Sequence, residues 1–223
     1  MTSEVFNTDC LEYMRTLPDK AFALAIADPP YGLDPSASET WSDKSALKNR
    51  AWSKGKIGES WDKAPEQDFF DELRRVCENV IIWGGNYFDL PPSRCIICWD
   101  KVQPWENFSQ IELAWTSFEK PAKLFRFDNR TTDKIHPTQK PVELYAFCLR
   151  VFAKPGDRIF DPMMGSQSSR IAAYKLGFDY VGCEIDKDFF DRGCKRFNEE
   201  CKGEITTKDG SVIKQMSLFD FAE

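Results

Sequence analysis

Asp28, Pro29, Pro30 and Tyr31 are the residues of this sequence best placed to do chemistry. They follow directly on the apolar run 22–27, which predicts a strand buried on both faces and places them at its carboxyl end. The prolines fix their own φ angles and hold a carboxylate, a carbonyl and an aromatic ring in a fixed relation, as an active site requires. The competing interpretation is a proline turn in which Asp28 only caps the strand and Tyr31 only packs.

A second cluster lies at 160–169, where a predicted strand passes into a helix. Small residues there let the backbone approach a ligand closely, and a helix N-terminus offers unpaired N–H groups. Glu184 ends the next predicted strand about twenty residues later, where a carboxylate accepts hydrogen bonds from both hydroxyls of a ribose. The two features predict a nucleoside-binding crevice. They do not form the dinucleotide fingerprint, because Gln167 and Ser168 stand where glycines would admit a pyrophosphate.

Alternating strands and helices must position these two clusters. Apolar runs predict strands at 22–27, 80–83, 95–99, 111–118, 158–160 and 179–183. Helices are predicted at 66–77, 141–152, 168–176 and from Asp188 onward, with Pro141 as a first helical residue and Asp188 as an N-cap. The alternation is typical of an α/β fold whose open, mostly parallel sheet binds ligands beyond the carboxyl ends of its strands.

The length of 223 residues and the 42% of hydrophobic residues predict one globular domain at 1–201. A C-terminal tail follows at 202–223 and begins with a polar tether at 202–215. No apolar run approaches a membrane span and the N-terminus does not resemble a signal peptide, so a cytoplasmic protein is expected. The eight cysteines and the single histidine favour reduced thiols and no metal site. The pair Cys95 and Cys98 falls in a predicted buried strand.

The net charge of −6 conceals two basic segments. Residues 41–60 carry a balance of +3 and residues 120–140 a balance of +4, so the remainder carries −13. Two basic segments on an acidic body could line one phosphate-binding face. Lysines solvated in loops account for the same charges equally well.

Six sequence blocks, taken in order, closely resemble the DNA amino-methyltransferases, in the permuted (beta) group whose catalytic motif precedes its cofactor motif. The blocks are DPPYG at 28–32, IIWGGNYF at 81–88, ELAWTSF at 112–118, HPTQKPVEL at 136–144, FDPMMGS at 160–166 and VGCEID at 181–186. The resemblance implies a Rossmann-like fold of the S-adenosylmethionine-dependent methyltransferase type with a small, loop-rich target-recognition region. It also implies S-adenosylmethionine as cofactor, S-adenosylhomocysteine as product, and a restriction-modification role in a bacterial or phage-infected cell.

By the same resemblance, the target base would be flipped out of duplex DNA into the crevice. Tyr31 would stack on the base, and the Asp28 carboxylate and the Pro29 carbonyl would accept hydrogen bonds from its exocyclic amine. His136 would be a structural hydrogen-bonding residue. The cofactor residues implied are Asp9 and Cys10 at the adenine, Glu184 at the ribose, Thr138, Lys140, Asp161 and Gly165 at the methionine end, with Asp28, Met163, Ser166 and Ile185 completing the set.

Two residues depart from the family pattern. Met163 replaces the usual Phe, and Gln167 replaces a second Gly and is expected to add a side chain near the cofactor, which would weaken binding. Adenine N6 is the expected target because the motif begins with Asp28, whereas cytosine-amino enzymes of this group more often carry Ser. The alternatives are an N4-cytosine enzyme, an RNA substrate, and a catalytically impaired DNA-binding protein on the same fold.

DNA recognition would fall to segments 34–60 and 119–135. Because both are short, either the recognised sequence is short or a second subunit, in a homodimer, supplies contacts. The expected DNA-binding residues are Lys44, Lys48, Arg50, Lys54, Lys56, Arg126, Arg130 and Lys134.

The tail segment Gln215-Met216-Ser217-Leu218-Phe219 resembles the peptide by which bacterial proteins dock on the replicative sliding clamp. In that interpretation the glutamine donates and accepts hydrogen bonds beside an apolar pocket that the Leu-Phe pair fills. The alternative is that Leu218, Phe219 and Phe221 fold back onto the domain's own surface.

Overall fold

The computed structural model describes residues 1–32, 63–103, 109–128, 134–136, 138–206 and 211–214. Its centre is an eight-stranded sheet in the order β1-β8-β7-β2-β3-β5-β4-β6. The strands are β1 (Ser3–Asn7), β2 (Phe22–Ala27), β3 (Cys77–Trp83), β4 (Ile96–Asp100), β5 (Ile111–Thr116), β6 (Lys123–Arg126), β7 (Arg158–Asp161) and β8 (Asp179–Glu184).

Strands β1, β8, β7, β2 and β3 are neighbours and run parallel. Strand β5 runs antiparallel to both β3 and β4, and β6 pairs parallel with β4. The predicted Rossmann-like, mostly parallel sheet is therefore confirmed. The carboxyl ends of the five parallel neighbours lie along one edge, where ligands of such sheets bind.

Helices cover both faces of the sheet. They are α1 (Cys10–Arg15), α2 (Gln67–Val76), α3 (Val142–Phe152), α4 (Ser168–Leu176) and α5 (Lys187–Phe197). In β2, Leu24 and Ile26 pack in one core cluster with residues of α3 and α4, whereas Ala25 and Ala27 pack in a second cluster with residues of α1 and α2. Because successive side chains of a strand point to opposite faces, β2 is buried on both sides, as its continuous apolar run predicted.

Two helix starts differ from the predictions. Asp186, not Asp188, is the N-cap of α5, since its side chain accepts hydrogen bonds from the N–H groups of Asp188 and Phe189. Asp188 therefore lies in the first turn of α5. Pro141 is likewise the N-cap of α3, with an extended backbone at φ −68° and ψ 147°, and is not its first helical residue. In both cases a helix was correctly predicted, but it begins one or two residues from the predicted start.

The elements β1, α1 and β6 were not predicted. The short strands β1 and β6 lie at the two edges of the sheet, where no residue of either strand is fully buried and the apolar pattern is weak. The prediction of a polar tether at 202–215 was wrong for two short strands, β9 (Glu204–Thr206) and β10 (Val212–Lys214), which pair antiparallel. Their pairing uses the backbone, so composition did not reveal it.

The eight cysteines are all free thiols. Across the described ranges, no helix is long and apolar enough to cross a membrane. The division into a domain at 1–201 and a tail at 202–223 stays a prediction.

Candidate active site

Four acidic residues line the carboxyl edge of the sheet, one at the end of each of four neighbouring strands. Asp9 follows β1, Glu184 ends β8, Asp161 ends β7 and Asp28 follows β2. The strands are parallel neighbours, so their carboxyl ends place these side chains in one row. The two clusters identified in the sequence are thus brought to one crevice.

Asp28 is held by two side chains that reach the same carboxylate oxygen. The Tyr31 hydroxyl donates a hydrogen bond to Asp28 Oδ1 at 3.0 Å, and Lys140 Nζ donates to Oδ1 as well. The Asp28 side chain is 13% exposed. Its burial raises the pKa of its carboxyl group, and the charge of Lys140 and the two hydrogen bonds act in the opposite direction.

Tyr31 is fixed in place by aromatic neighbours. Its ring stacks on Tyr87, with ring centroids 5.0 Å apart, and meets Phe88 edge-on at 6.2 Å. Gly84, which is in a left-handed conformation, lies against the ring and leaves room for it. Tyr87 is largely exposed, so the pair presents an aromatic surface beside Asp28.

Lys140 is buried and charged. Its Nζ forms ion pairs with Asp28 and, at 3.2 Å, with Glu112 of β5. It also lies 5.6 Å from the Tyr31 ring centroid and 5.7 Å from the Trp83 ring centroid. Burial by itself would lower the pKa of Lys140, but the two carboxylates outweigh this and raise it. Lys140 therefore does not point to solvent.

Asp161 is almost fully buried at the end of β7. Its Oδ1 accepts a hydrogen bond from the Met163 N–H at 3.0 Å, and its Oδ2 accepts one from the Ser169 hydroxyl. Burial is the main cause that raises the pKa of Asp161 to about 7, and the nearby carboxylates of Asp28 and Glu184 add to it. This carboxyl group is therefore poised to change charge near neutral pH.

Glu184 ties the end of β8 to the loop after β7. Its Oε2 accepts a hydrogen bond from the Gly165 N–H at 2.9 Å, and its Oε1 accepts one from the Asp186 N–H at 2.8 Å. Each carboxylate oxygen has a further lone pair, so the group can still accept hydrogen bonds from a ligand. Ile185, the next residue, is 70% exposed and offers an apolar surface at the same edge.

Gln167 does not extend toward the crevice, contrary to the sequence-based expectation. It is fully buried, its Oε1 accepts a hydrogen bond from Arg170, and its Nε2 donates to the Phe190 carbonyl at 3.3 Å. The side chain therefore packs against α5, where Gly193 leaves room for it. The left-handed backbone at φ 60° turns the side chain in this direction, and a sequence pattern does not report that angle.

The remaining predicted cofactor residues border the same loops. Asp9 is the N-cap of α1, and Cys10 is buried, which raises the pKa of its thiol to about 12. His136 lies over Gly165 and meets the Phe189 ring edge-on at 4.3 Å. The other members are exposed Thr138, half-buried Met163 and buried Ser166.

The predicted DNA-binding residues are only partly within the described chain. Arg126 is at the end of edge strand β6, with an exposed guanidinium that pairs with Asp100 at 2.8 Å. Lys134 is half-buried. The other members of that set lie outside the described residues: Lys44, Lys48, Arg50, Lys54, Lys56 and Arg130.

Four residues of the site carried no role in the sequence analysis: Gly84, Tyr87, Lys101 and Glu112. Three of them belong to blocks that were quoted for the family resemblance, at 81–88 and 112–118. The presence of charged Glu112 in an otherwise apolar strand was the signal that could have identified it. Within the described ranges, no group of three or more His, Cys, Asp or Glu side chains is arranged to hold a metal ion.

Comparison with known proteins agrees with this geometry. A family model described as a DNA methylase matches residues 98–195. The type II methyltransferase M.HinfI of Haemophilus influenzae is 23% identical, over 87% of this chain and 68% of the relative. The crystal structure of the M1.HpyAVI–SAM complex is 18% identical, with a TM-score of 0.58 over 86% of this chain and 98% of that one.

A further structural neighbour is PvuII DNA methyltransferase, described as cytosine-N4-specific. It is 14% identical, with a TM-score of 0.59 over 87% of this chain and 86% of its own. At such identities the structural likeness establishes the fold, whereas the family model and the curated relative bear on the activity. Together with the Asp28–Tyr31 motif at the end of β2, they support a DNA amino-methyltransferase, the family to which this chain is similar.

Proposed function

We propose that this chain transfers a methyl group from S-adenosylmethionine to the N6 atom of an adenine flipped out of duplex DNA. The observation that carries the proposal is the arrangement of Asp28 and Tyr31. Both hydrogen bonds that Asp28 makes within the described residues go to Oδ1, which leaves Oδ2 to accept a hydrogen bond from an exocyclic amine. The adjoining aromatic surface of Tyr31 and Tyr87 suits a planar base.

The row of acids supports S-adenosylmethionine as cofactor. The cofactor supplies a methyl group on a positively charged sulfonium, whose departure leaves a neutral thioether. Asp161 lies beside Asp28 at the carboxyl edge and can place negative charge near that cation. Glu184 can accept hydrogen bonds from the ribose, and exposed Ile185 can cover the adenine ring. Asp9 and Cys10 would border the same end of the crevice.

The chain's own contribution to the reaction is positioning and electrostatics. Asp28 Oδ2 and the Pro29 carbonyl accept hydrogen bonds from the two N–H groups of the amine, which turns the nitrogen lone pair toward the methyl carbon. The lone pair forms the N–C bond as the C–S bond breaks, and the nitrogen then loses one proton to solvent. A carboxylate next to the nitrogen stabilises the positive charge that develops there.

Adenine is favoured over cytosine because the motif begins with an aspartate. The charged carboxylate of Asp28 is a stronger acceptor than the serine hydroxyl that is more frequent in the cytosine-amino enzymes of the resembled group. The alternative, N4-cytosine methylation, is supported by the likeness to the PvuII enzyme. An impaired DNA-binding protein is less favoured, because the reason for it was Gln167, whose side chain faces α5.

One assay separates these functions. Unmethylated duplex DNA of mixed sequence is incubated with methyl-labelled S-adenosylmethionine, digested to nucleosides, and the labelled nucleoside identified, with Asp28→Ala as the control. We expect label on N6-methyl-2′-deoxyadenosine only, and none with the variant. Label on N4-methyl-2′-deoxycytidine would select the alternative, and cofactor binding without any transfer would select the impaired protein.

We also infer that segments 34–60 and 119–135 contact the DNA and that the permuted group, with the motif of β2 ahead of the cofactor loop, is the one to which the chain belongs. A homodimer that supplies further contacts belongs to the same proposal. Mass photometry with and without a duplex tests the dimer. Substitution of Arg126 together with Lys134 by alanine should weaken duplex binding and reduce its salt dependence.

The clamp-binding peptide at 215–219 is a separate proposal. It lies outside the described residues, and it begins directly after strand β10, which ends at Lys214. A synthetic peptide of residues 211–223 can be titrated against a purified bacterial sliding clamp, beside a version with Leu218 and Phe219 replaced by alanine. Saturable binding of the first peptide only is expected, and equal signals from both would remove the proposal.

A further inference from the structure

A chain of four alternating charges leads from the surface to the catalytic aspartate. Lys101 Nζ contacts Glu112 Oε1 at 2.5 Å, Glu112 Oε2 contacts Lys140 Nζ at 3.2 Å, and Lys140 Nζ reaches Asp28 Oδ1. The four residues come from separate parts of the chain, since Lys101 follows β4, Glu112 is in β5, Lys140 precedes α3 and Asp28 follows β2. Only the folded sheet brings them together.

The charged side chains of this series are buried where it meets the site. The side chains of Lys140, Asp28 and Glu112 are 4%, 13% and 22% exposed. A charge taken out of water is costly unless an opposite charge compensates it, so each member depends on its neighbours. Glu112 holds Lys140 through a second ion pair, and Lys101 compensates the other oxygen of Glu112. Glu112 is thus placed to prevent Lys140 from moving away from Asp28.

The contacts at Asp28 are asymmetric, and this asymmetry has a function. Lys140 and Tyr31 both engage Oδ1, and Lys140 Nζ is also 3.2 Å from the Tyr31 hydroxyl. These three groups form a closed triangle that fixes the rotation of the carboxylate. Among the described residues no partner contacts Oδ2, which is therefore the oxygen that a substrate amine can reach.

We propose that Lys140 is a positioning residue that holds Asp28 ionised and presents its Oδ2 to the amine, and that Glu112 positions Lys140 for this role. The inference rests on the proposed function of Asp28. Lys140 acts through Asp28 and need not touch the base. Glu112 lies one step further away and acts through Lys140.

Lys140 and Glu112 carry opposite charges, so they shift the pKa of Asp28 in opposite directions, which provides a test. Lys140 lowers the pKa of Asp28, so its loss should raise that pKa. The negative charge of Glu112 raises the pKa of Asp28, so its loss should lower that pKa. If Lys140 and Glu112 merely stabilised the fold, their loss would not move the Asp28 pKa in opposite directions.

The first experiment measures methyl transfer at saturating S-adenosylmethionine and DNA between pH 5.5 and 9. In Lys140→Gln we expect kcat to fall by about 100-fold, the acid limb of the profile to move to higher pH, and the Kd for the cofactor to stay within about threefold. Lys140→Arg should recover part of kcat. In Glu112→Gln, kcat should fall by about tenfold with the acid limb moved to lower pH. The matched control is Lys20→Gln, which removes a lysine bonded to the Arg74 and Cys77 carbonyls at the opposite end of the sheet and should change nothing.

The second experiment tests the same proposal without measuring enzyme activity. The Asp28 carboxyl carbon is followed by ¹³C NMR in protein labelled at aspartate Cγ, with Asp28→Asn to assign the signal. We expect its pKa to rise in Lys140→Gln and to fall in Glu112→Gln. If Lys140→Gln unfolds, the double variant Lys140→Gln with Glu112→Gln, which removes one charge of each sign, replaces it, and its Asp28 pKa should be higher than that of Glu112→Gln alone. An Asp28 pKa that does not rise when Lys140 is lost, in either background, overturns the inference, whereas wild-type protein that transfers no methyl group overturns only the proposed function.

Discussion

Gly84 leaves the space that the Tyr31 ring occupies. A Cβ atom on Gly84 would stand 2.2 Å from Cε1 of Tyr31, well inside van der Waals contact. The glycine follows β3 and the tyrosine follows β2, the strand beside it, so the turn after one strand shapes the Asp28–Tyr31 loop after its neighbour. The position of the Tyr31 ring is therefore set by a residue more than fifty positions away in the sequence.

Gly84→Ala should displace Tyr31 and reduce activity. The left-handed conformation of Gly84, at φ 67°, would by itself cost an alanine roughly 1–2 kcal/mol, and the ring would also have to move. We expect kcat for methyl transfer to fall at least tenfold. Gly177→Ala is the matched control, because it has a similar φ of 80° and nothing within 4 Å of the added atom. Equal losses of activity in the two variants would show that strain alone is responsible.

Tyr31→Phe should separate the ring of Tyr31 from its hydroxyl. The phenyl ring keeps the stacking on Tyr87, while Asp28 loses a hydrogen bond to its charged form, worth about 1.5–3 kcal/mol. The Asp28 pKa should rise, so the acid limb of the transfer rate should move to higher pH. Binding of a duplex with an abasic target should be unaltered. A pH profile that coincides with that of the wild type would contradict this role of the hydroxyl.

Asp161 should make the folded protein less stable as the pH rises. Its folded pKa of about 7 lies above the ordinary value of 3.8, so the folded state binds the proton more tightly than the unfolded state. The resulting penalty begins above pH 4 and is complete above pH 7. Between pH 6 and pH 8 the free energy of unfolding should fall by about 1.4 kcal/mol from this group. Urea unfolding of wild type and Asp161→Asn at both pH values measures it, and parallel pH dependences in the two proteins would refute it.

Cofactor binding should be linked to the same proton. S-adenosylmethionine is a cation, so it should favour the charged form of Asp161 and release a proton on binding below pH 7. Calorimetry at pH 6.5 in two buffers of different ionisation enthalpy gives the number of protons released. The number of protons released should be positive for wild type. For Asp161→Asn it should be close to the number that the ligand's own ionisable groups release. Identical values for the two proteins would place the linked group elsewhere.

Gln167→Gly should leave cofactor affinity within about threefold of wild type, because the Gln167 side chain faces α5. It should instead lower the free energy of unfolding by about 1 kcal/mol, since Arg170 loses a buried hydrogen-bond partner while the left-handed backbone strain is relieved.

A double-mutant cycle with Gly193→Ala provides the control for Gln167. A Cβ on Gly193 would stand 2.7 Å from Gln167 Cγ, so Gly193→Ala should be destabilising alone and tolerated in the Gln167→Gly background. Additive changes in the free energy of unfolding would show that the two side chains do not meet. A large gain in cofactor affinity from Gln167→Gly would restore the view that this side chain hinders the cofactor.

The sequence by itself determined that the central strands are buried on both faces, that Asp28 and Glu184 lie at carboxyl ends of strands, and that the chain resembles the DNA amino-methyltransferases. These follow from local patterns: a continuous apolar run buried on both faces, a proline-stiffened loop, and a small-residue turn with an acid one strand later. It also located four helices to within a few residues. The errors at Asp186 and Pro141 concern caps, where one or two residues decide which side chain receives the free N–H groups.

Only the tertiary structure decided what surrounds the Asp28 carboxylate. Lys140 and Glu112 lie far from Asp28 in the chain, and their ion pairs depend on the order β2-β3-β5 in the sheet, which no local pattern specifies. The direction of Gln167 depends on a positive φ angle and on the space beside Gly193. Long-range ion pairs and the sign of a φ angle are properties of the assembled sheet. For this reason the sequence predicted which residue types form the site, but it did not predict the charges that surround them.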